Sequence, residues 1–455
     1  MSDLSTILSW TPRLRDFSFN NSNSRNVQMT HAINLGYTLE ETRTPMGFGA
    51  APTPQSAGGA LLRDDSDAGL VTIAGTGTGK GVSQVIPAAL TYPGSMVIMD
   101  TKGEIAAVTA RARREMGQEV VILDPFGKST DALNPMEMID PASIDAPDQC
   151  NRLARMMNTK GLEEDPFWDD MSQSIISGTL LFLATHIPRA ERSMALLHRM
   201  WAVSDHLEEM LACMQACDLH GGAMAAASRA YTSAPDKTAG SILTTIRNHI
   251  GFLASARSQA SLSGGWGLLK RIREGVPMTI YLRVPPHLLS SHGQLLRIWL
   301  GTILNTVAQR EQRPEIPDLF LVDEAATLGP LDELLTAASL LRGYGLRTWT
   351  FWQSIGQIET LYGTRASEFL DNAGTLSMFG ASNAAAANNL KALTGYEGQI
   401  LGMERDQQVI CRQGNEAQRA VKLNYLTDPA YQGRFDPNPF YARPQVKSRG
   451  MEIAA

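Results

Sequence analysis

The sequence has little cysteine, no dominant charge and no long apolar run. Four cysteines in 455 residues cannot form a disulfide framework, so a reducing compartment is the default. The 40 Lys and Arg are nearly balanced by 46 Asp and Glu, a formal net charge of −6. That balance excludes a strongly basic coat for nucleic acid, although local charge in a groove or pore acts independently of the total. The nearest approach to a membrane helix, GTLLFLA at Gly178–Ala184, falls far short of the roughly 20 apolar residues a span needs. No cationic-then-apolar signal opens the chain. The expectation is a soluble, cytoplasmic protein. Its 43% hydrophobic and 19% charged residues are globular values, and its length suggests about two or three domains.

The stretch Val71–Leu90, VTIAGTGTGKGVSQVIPAAL, carries the strongest signal. Leu70, Val71 and Ile73 form an apolar run of strand type, and Val82, Val85, Ile86, Ala89 and Leu90 recur at helical spacing. Between them lie Gly75, Thr76, Gly77, Thr78, Gly79, Lys80 and Gly81. A strand, a glycine-rich loop and a helix start form a phosphate-binding loop. Its backbone N–H groups and the helix dipole cradle phosphate oxygens, and the lysine reaches the outer phosphates. The glycines are expected because Cβ atoms would collide with ligand or backbone at such close approach. Two positions depart from G-x-x-x-x-G-K-[ST]: Ala74 replaces the first glycine and Gly81 the hydroxyl residue. The second departure removes the hydroxyl that usually holds Mg²⁺. The alternative is an ordinary glycine-rich turn.

From Leu70 onward, strands alternate with helices: Ser95–Asp100 and Glu119–Asp124 are strands, and Glu104–Met116 is a helix between them. Such alternation implies parallel strands with helices on both faces, and ligands beyond the strands' carboxyl ends. Asp100–Glu104 and Asp124–Gly127 lie at such ends, either lining a site or serving as caps and turns. From Ala142 to Gly265 no strand is evident, and Met, Ala and Leu recur at helical spacing. Strands resume at Pro277–Val284. The expected organisation is an α/β domain over 61–141 and 266–436, with an all-α insertion over 142–265. An N-terminal arm of little core spans 1–60, and a loose tail spans 437–455. Within the insertion, Cys213, Cys217 and His220 have helical spacing but no evident fourth metal ligand, and read as structural. Lys270, Arg271 and Arg273 form a short basic cluster, ordinarily a solvated face.

Asp318–Leu328, DLFLVDEAATL, is a buried-type strand ending in two carboxylates. Asp323 would orient Mg²⁺ or its water shell, and Glu324 would polarise an attacking water. The strand Leu346–Trp352 ends at Gln353, an amide placed to contact a γ-phosphate or lytic water, or else a cap. Arg342, in the preceding turn, is a candidate finger acting on a neighbouring subunit's nucleotide. The alternative is a surface arginine at a helix end. The tail adds the strand Thr375–Phe379, a helix around Asn383–Leu393 and an edge strand, Gln408–Arg412.

Five collinear stretches resemble the TraG-type coupling proteins of conjugative type IV secretion systems: Gly75–Glu104, Val120–Gly127, Asp165–Ala184, Leu319–Leu331 and Arg342–Gly363. The resemblance implies an α/β, RecA-like P-loop NTPase with a mainly parallel central sheet and the all-α insertion. It implies ATP and Mg²⁺ as cofactors and nucleotide bound between subunits of a homo-hexamer, or a monomer without DNA. It implies hydrolysis coupled to moving DNA, with an attached relaxase or other secreted protein substrate, toward the channel components. Gly81 is an expected residue in that family, and the spacing of Arg342 and Gln353 resembles its finger-to-sensor arrangement. Members usually begin with membrane helices, and none is expected from this sequence. A soluble coupling ATPase, or one docked at the inner membrane by a separate anchor protein, is expected. Two alternatives stand beside the DNA motor: a receptor ATPase for protein substrates, and a nucleotide-responsive scaffold. Glu324 argues against the scaffold.

Overall fold

The computed structural model describes residues 31–39, 59–158, 167–202 and 204–440. The loose tail expected over 437–455 therefore lies mostly outside the described residues. Eleven strands form one sheet. In chain order they are β1 (Ile33–Thr38), β2 (Leu61–Asp64), β3 (Gly69–Ile73), β4 (Met96–Met99), β5 (Glu119–Leu123), β6 (Met278–Leu282), β7 (Asp318–Val322), β8 (Leu346–Trp352), β9 (Ala373–Met378), β10 (Gln407–Arg412) and β11 (Gln418–Val421). Their spatial order is β2-β1-β11-β10-β9-β3-β8-β7-β4-β6-β5. The block from β9 to β5 is parallel throughout, and the rest is antiparallel. This is the expected α/β architecture with a mainly parallel sheet.

Parallel strands covered on both faces read as continuous apolar runs, and these do: MVIM, MTIYL and DLFLV are buried at every position. Their side chains alternate between two cores. Met96, Ile98, Leu319, Leu321, Trp349 and Phe351 join one core with the helices Ile86–Thr91 and Glu104–Glu115. Val71, Ile73, Val97, Met99 and Phe320 join the other with the helices Gln294–Val307 and Asp332–Leu340. That second core continues without a break into Leu153, Met156, Ile176 and Leu180. Those residues belong to the helices Ala146–Met157 and Phe167–His186. Between β5 and β6 the described residues contain helices and no strand. No helix among the described residues is long and apolar enough to cross a membrane.

Two expectations are corrected. Ile33–Thr38, expected in an arm with little core, is a strand between β11 and β2, with Ile33 and Leu35 buried. The motif INLGYT is short, with Asn and Gly between its apolar residues, and only long-range pairing makes it a strand. Gln408–Arg412, expected at an edge, lies inside the sheet between β9 and β11. The strand that covers it, QRAV, has no apolar run to announce it.

Candidate nucleotide site

Because the strands are parallel, the carboxyl ends of β3, β8, β7 and β4 emerge on one side. Ile73 pairs with Trp352, Thr350 with Val322, and Val322 with Met99. The residues that follow are thus neighbours: Ala74 onward from β3, Gln353 from β8, Asp323 and Glu324 from β7, Asp100 from β4. β8 is interposed between the loop strand β3 and the acidic strand β7. Gln353 therefore emerges between the loop that follows β3 and the acid pair that follows β7.

The loop Gly75–Lys80 leads into one π-helical turn, Gly81–Val85, and then the helix Ile86–Thr91. Thr78 bridges the loop, its hydroxyl donating to the Gly75 carbonyl at 2.7 Å. Ser83 Oγ donates to the Gly79 carbonyl at 2.9 Å. Gly77 and Gly79 have φ of +77° and +89°, backbone that side chains rarely adopt. A Cβ at either position would meet nothing within 4 Å. Within the chain these glycines are needed for torsion, and the collision with backbone expected from the sequence is not seen at either position. Thr76, Gly77 and Gly79 are exposed, and Gly81 and Val82 are half-buried at the helix start.

Lys80 Nζ donates to Glu324 Oε1 at 2.5 Å and lies 3.1 Å from Asp323 Oδ1. Gln353 Nε2 donates to Glu324 Oε2 at 2.9 Å. The lysine, both acids and the amide, separated by up to 273 residues (353 − 80), thus form one cluster. Burial would lower the Lys80 pKa, but the charge of Asp323 and the hydrogen bond to Glu324 outweigh it and raise it above the ordinary value. Burial would raise Glu324, but hydrogen bonds from Lys80 and Gln353 hold it below its ordinary value. Asp323 goes the other way: its deeper burial outweighs the Lys80 charge and lifts it. Asp323 Oδ1 is buried and has no aligned hydrogen bond, the Lys80 approach being an ion-pair distance without hydrogen-bond geometry. A buried carboxylate oxygen without a hydrogen bond suits a hard divalent cation.

Glu324 has φ +56° and ψ +51°, the left-handed conformation. One other non-glycine described residue, His220, shares positive φ. For a non-glycine residue such backbone costs on the order of 1–3 kcal/mol, and it collects at functional sites. From that turn the Glu324 carboxylate reaches Lys80 of the loop. No sequence signal marks that torsion.

Arg342 is not part of this cluster. It lies exposed in the turn Leu341–Tyr344 and has no side-chain partner among the described residues. Asp100 is a cap: its carboxylate accepts from the N–H groups of Gly103 and Ala106 at 2.8 Å each, and burial pushes its pKa up to about 6. Asp124 pairs with Arg283 at 2.5 Å. Arg271 pairs with Glu119 and Lys270 with Glu274, which fits a solvated face. No cluster of three His, Cys, Asp or Glu that could alone hold a metal occurs among the described residues.

Sequence reasoning missed Lys422 and Gln408. Lys422 Nζ donates to the Thr78 carbonyl at 3.0 Å and the Arg405 carbonyl at 2.9 Å, and sits 3.9 Å over the Phe379 ring. Burial pulls its pKa down to about 8. Buried Gln408 accepts from Gln84 Nε2 at 3.1 Å and donates to the Leu35 carbonyl at 2.7 Å. Gln84 in turn accepts from Thr72 at 2.9 Å, and Thr72 from Trp349 at 2.9 Å. This chain of bonds ties the turn after Lys80 to β8, β3, β10 and β1. Its one legible sign was Gln84, an amide within the apolar stripe of the helix. A cleft of about 660 Å³ adjoins the loop, lined in part by Thr78, Gln353, Phe379, Asn389 and Met403.

Comparisons with known proteins agree with this arrangement. The family model for "Type IV secretory system Conjugative DNA transfer" matches residues 30–398. Protein VirD4 of Agrobacterium fabrum is 26% identical over 72% of this chain and 49% of its own length. Conjugal transfer protein TraG of Escherichia coli is 25% identical over 73% of this chain and 56% of its own. The chain thus spans about half the length of these curated relatives. The coupling protein TrwB in complex with the ATP analogue ADPNP has a similar fold, with a TM-score of 0.64 at 18% identity, over 80% of this chain and 88% of that one. VirB4 of Thermoanaerobacter pseudethanolicus has a TM-score of 0.54 at 12% identity, over 88% and 97%. With a family model covering well over half its length, and with the phosphate loop, acid pair and amide gathered at one end of a parallel sheet, this chain belongs to the type IV secretory conjugative DNA-transfer family.

Proposed function

We propose that this chain is the ATP-hydrolysing motor of a coupling protein. In this reading it uses ATP to move DNA, with an attached relaxase or other protein substrate, toward a type IV secretion channel. The observation that carries the reading is the convergence of Lys80, Asp323, Glu324 and Gln353 within hydrogen-bond or ion-pair distance of one another. The α/β block over 61–141 and 266–436 would be the motor, and the helical block over 142–265 would face the substrate.

The loop amides of Gly75–Val82 would hold the phosphates, and Lys80 would neutralise the outer ones. To do so Lys80 must exchange Glu324 for phosphate oxygen. That exchange frees the Glu324 carboxylate, still held by Gln353, to accept a proton from the attacking water. Losing Lys80 removes the hydrogen bond that most depresses the Glu324 pKa, so the freed carboxylate becomes the stronger base. Asp323 would hold Mg²⁺, which when bound supplies charge neutralisation on the phosphate oxygens. TrwB, of similar fold, is known in complex with ADP and Mg²⁺, which supports the same cofactors here. Exposed Arg342, with no side-chain partner among the described residues, would act on the nucleotide of the next subunit in a hexameric ring.

The test is ATP turnover with and without single- and double-stranded DNA, alongside particle size. A several-fold rise with DNA, with ring formation, is the expected result. Turnover that responds to a relaxase-type protein but not to DNA would favour the receptor reading, and absence of turnover would contradict both.

A further inference from the structure

We propose that Glu104 takes the place of the hydroxyl that the phosphate loop lacks, and that its carboxylate belongs to the shell of the Mg²⁺ bound with nucleotide. The inference rests on the ATPase reading above.

Phosphate loops usually follow their lysine with Ser or Thr, whose hydroxyl is an Mg²⁺ ligand. Gly81 offers none. The space its side chain would enter is not empty, however. A Cβ on Gly81 would stand 3.5 Å from Glu104 Oε1, so a carboxylate borders the position where the hydroxyl would lie.

Glu104 is the first residue of the helix after β4, and β4 is the sheet neighbour of β7, which delivers Asp323. The intervening turn is fixed at three points. Asp100 caps it through the N–H groups of Gly103 and Ala106. Gly103 has φ +76°, and a side chain there would collide with Arg283. Asn438 Nδ2 donates to Glu104 Oε2 at 3.3 Å, leaving Oε1 as the oxygen toward Gly81. The same turn also bears on the acid pair, because the charge of Lys102 acts on both Asp323 and Glu324.

The chemistry is consistent. Mg²⁺ prefers hard oxygen ligands, keeps several waters and is held by one or two carboxylates plus substrate phosphates. It needs no cluster of three protein ligands. Buried Asp323 Oδ1, with no aligned hydrogen bond, supplies one carboxylate, and Glu104 the second. An acid at a helix start is otherwise explained by the dipole alone. That explanation predicts a small loss of stability on its removal and no change in metal dependence.

The experiment titrates Mg²⁺ into protein mixed with a fluorescent ADP and reads nucleotide affinity, with EDTA samples as the metal-free reference. Glu104→Gln should raise the Mg²⁺ concentration at half-effect about tenfold or more, a typical loss for a group in a metal's environment, with affinity in EDTA unchanged. Adding Gly81→Ser to Glu104→Gln should restore part of the Mg²⁺ response, since 3.5 Å is ordinary contact and a serine fits. Asn438→Ala should shift the midpoint in the same direction by less, and serves if Glu104→Gln folds poorly. An unchanged midpoint in Glu104→Gln, or a double variant as weak as the single one, overturns the role of Glu104 alone. A wild-type protein that binds no nucleotide overturns the ATPase reading instead.

Discussion

Seven strands of the sheet, from β9 through β3 to β5, run parallel, and three of them, β3, β8 and β7, lead into Lys80, Gln353 and the Asp323–Glu324 pair, whereas β10, β11, β1 and β2 run antiparallel. The antiparallel strands come from chain segments about 370 residues apart (407 − 38), and they bear none of the residues assigned to chemistry. Their contribution is to hold the loop. Gln408 anchors Gln84 in the turn after Lys80, and Lys422 anchors the Thr78 carbonyl within the loop. On the proposed function, one half of the sheet would carry the reacting groups and the other the scaffold of the phosphate cradle. Variants in the two halves should fail differently.

Apart from Glu324→Gln, the largest effect is expected in the parallel half. Lys80→Ala removes the charge that faces the phosphates and should lower turnover by about 10²–10³-fold, as loss of a preorganised charge does. Steady-state ATPase assays check this. Asp100, in the same half, should set a pH dependence of stability. Its folded pKa, raised from 3.8 to about 6, means that the unfolded chain ionises first as pH rises. The advantage of wild type over Asp100→Asn should therefore be greatest below about pH 4, fall as pH rises through about 6, and stay flat above. The span is at most about 3 kcal/mol at 1.36 kcal/mol per pH unit. Urea unfolding of both proteins from pH 4 to 7 measures it.

In the antiparallel half, Gln408→Leu leaves the Gln84 amide and the Leu35 carbonyl buried without their partner. It should cost about 1–3 kcal/mol of stability, read from urea midpoints, with kcat unchanged. A collapse of kcat without loss of stability would break the division of labour between the halves. The smallest effect is expected of Lys422→Met: nucleotide affinity should fall several-fold, and Lys422→Arg should retain it. With the Lys422 pKa near 8, wild-type affinity should weaken as pH rises through that value while the arginine variant stays level, since Arg remains charged.

The parallel half was largely legible in the sequence. Buried parallel strands are apolar runs closed by turn residues, and LFLVDE or VTIAGTGTGK shows both the strand and what stands at its end. The antiparallel half was not. β1, β2 and β11 are four to six residues long and mix polar with apolar positions, so only their pairing identifies them. Nothing in the sequence singles out Gln408 and Lys422, because their partners are carbonyls and an amide from distant segments. The left-handed turn at Glu324 was likewise invisible, although it decides where that carboxylate points. For Arg342 the sequence left open a finger or a surface arginine at a helix end, and its exposed position fits both.

The central claim is that Lys80 and the Asp323–Glu324 pair serve one triphosphate, with Glu324 acting on water and not on binding. Parallel measurement of ATP affinity and single-turnover hydrolysis in Glu324→Gln tests it most directly. The account predicts affinity within a few-fold of wild type and hydrolysis slowed by about 10²–10⁴-fold, the range for a lost general base. Hydrolysis at the wild-type rate, or affinity lost in step with turnover, would contradict it.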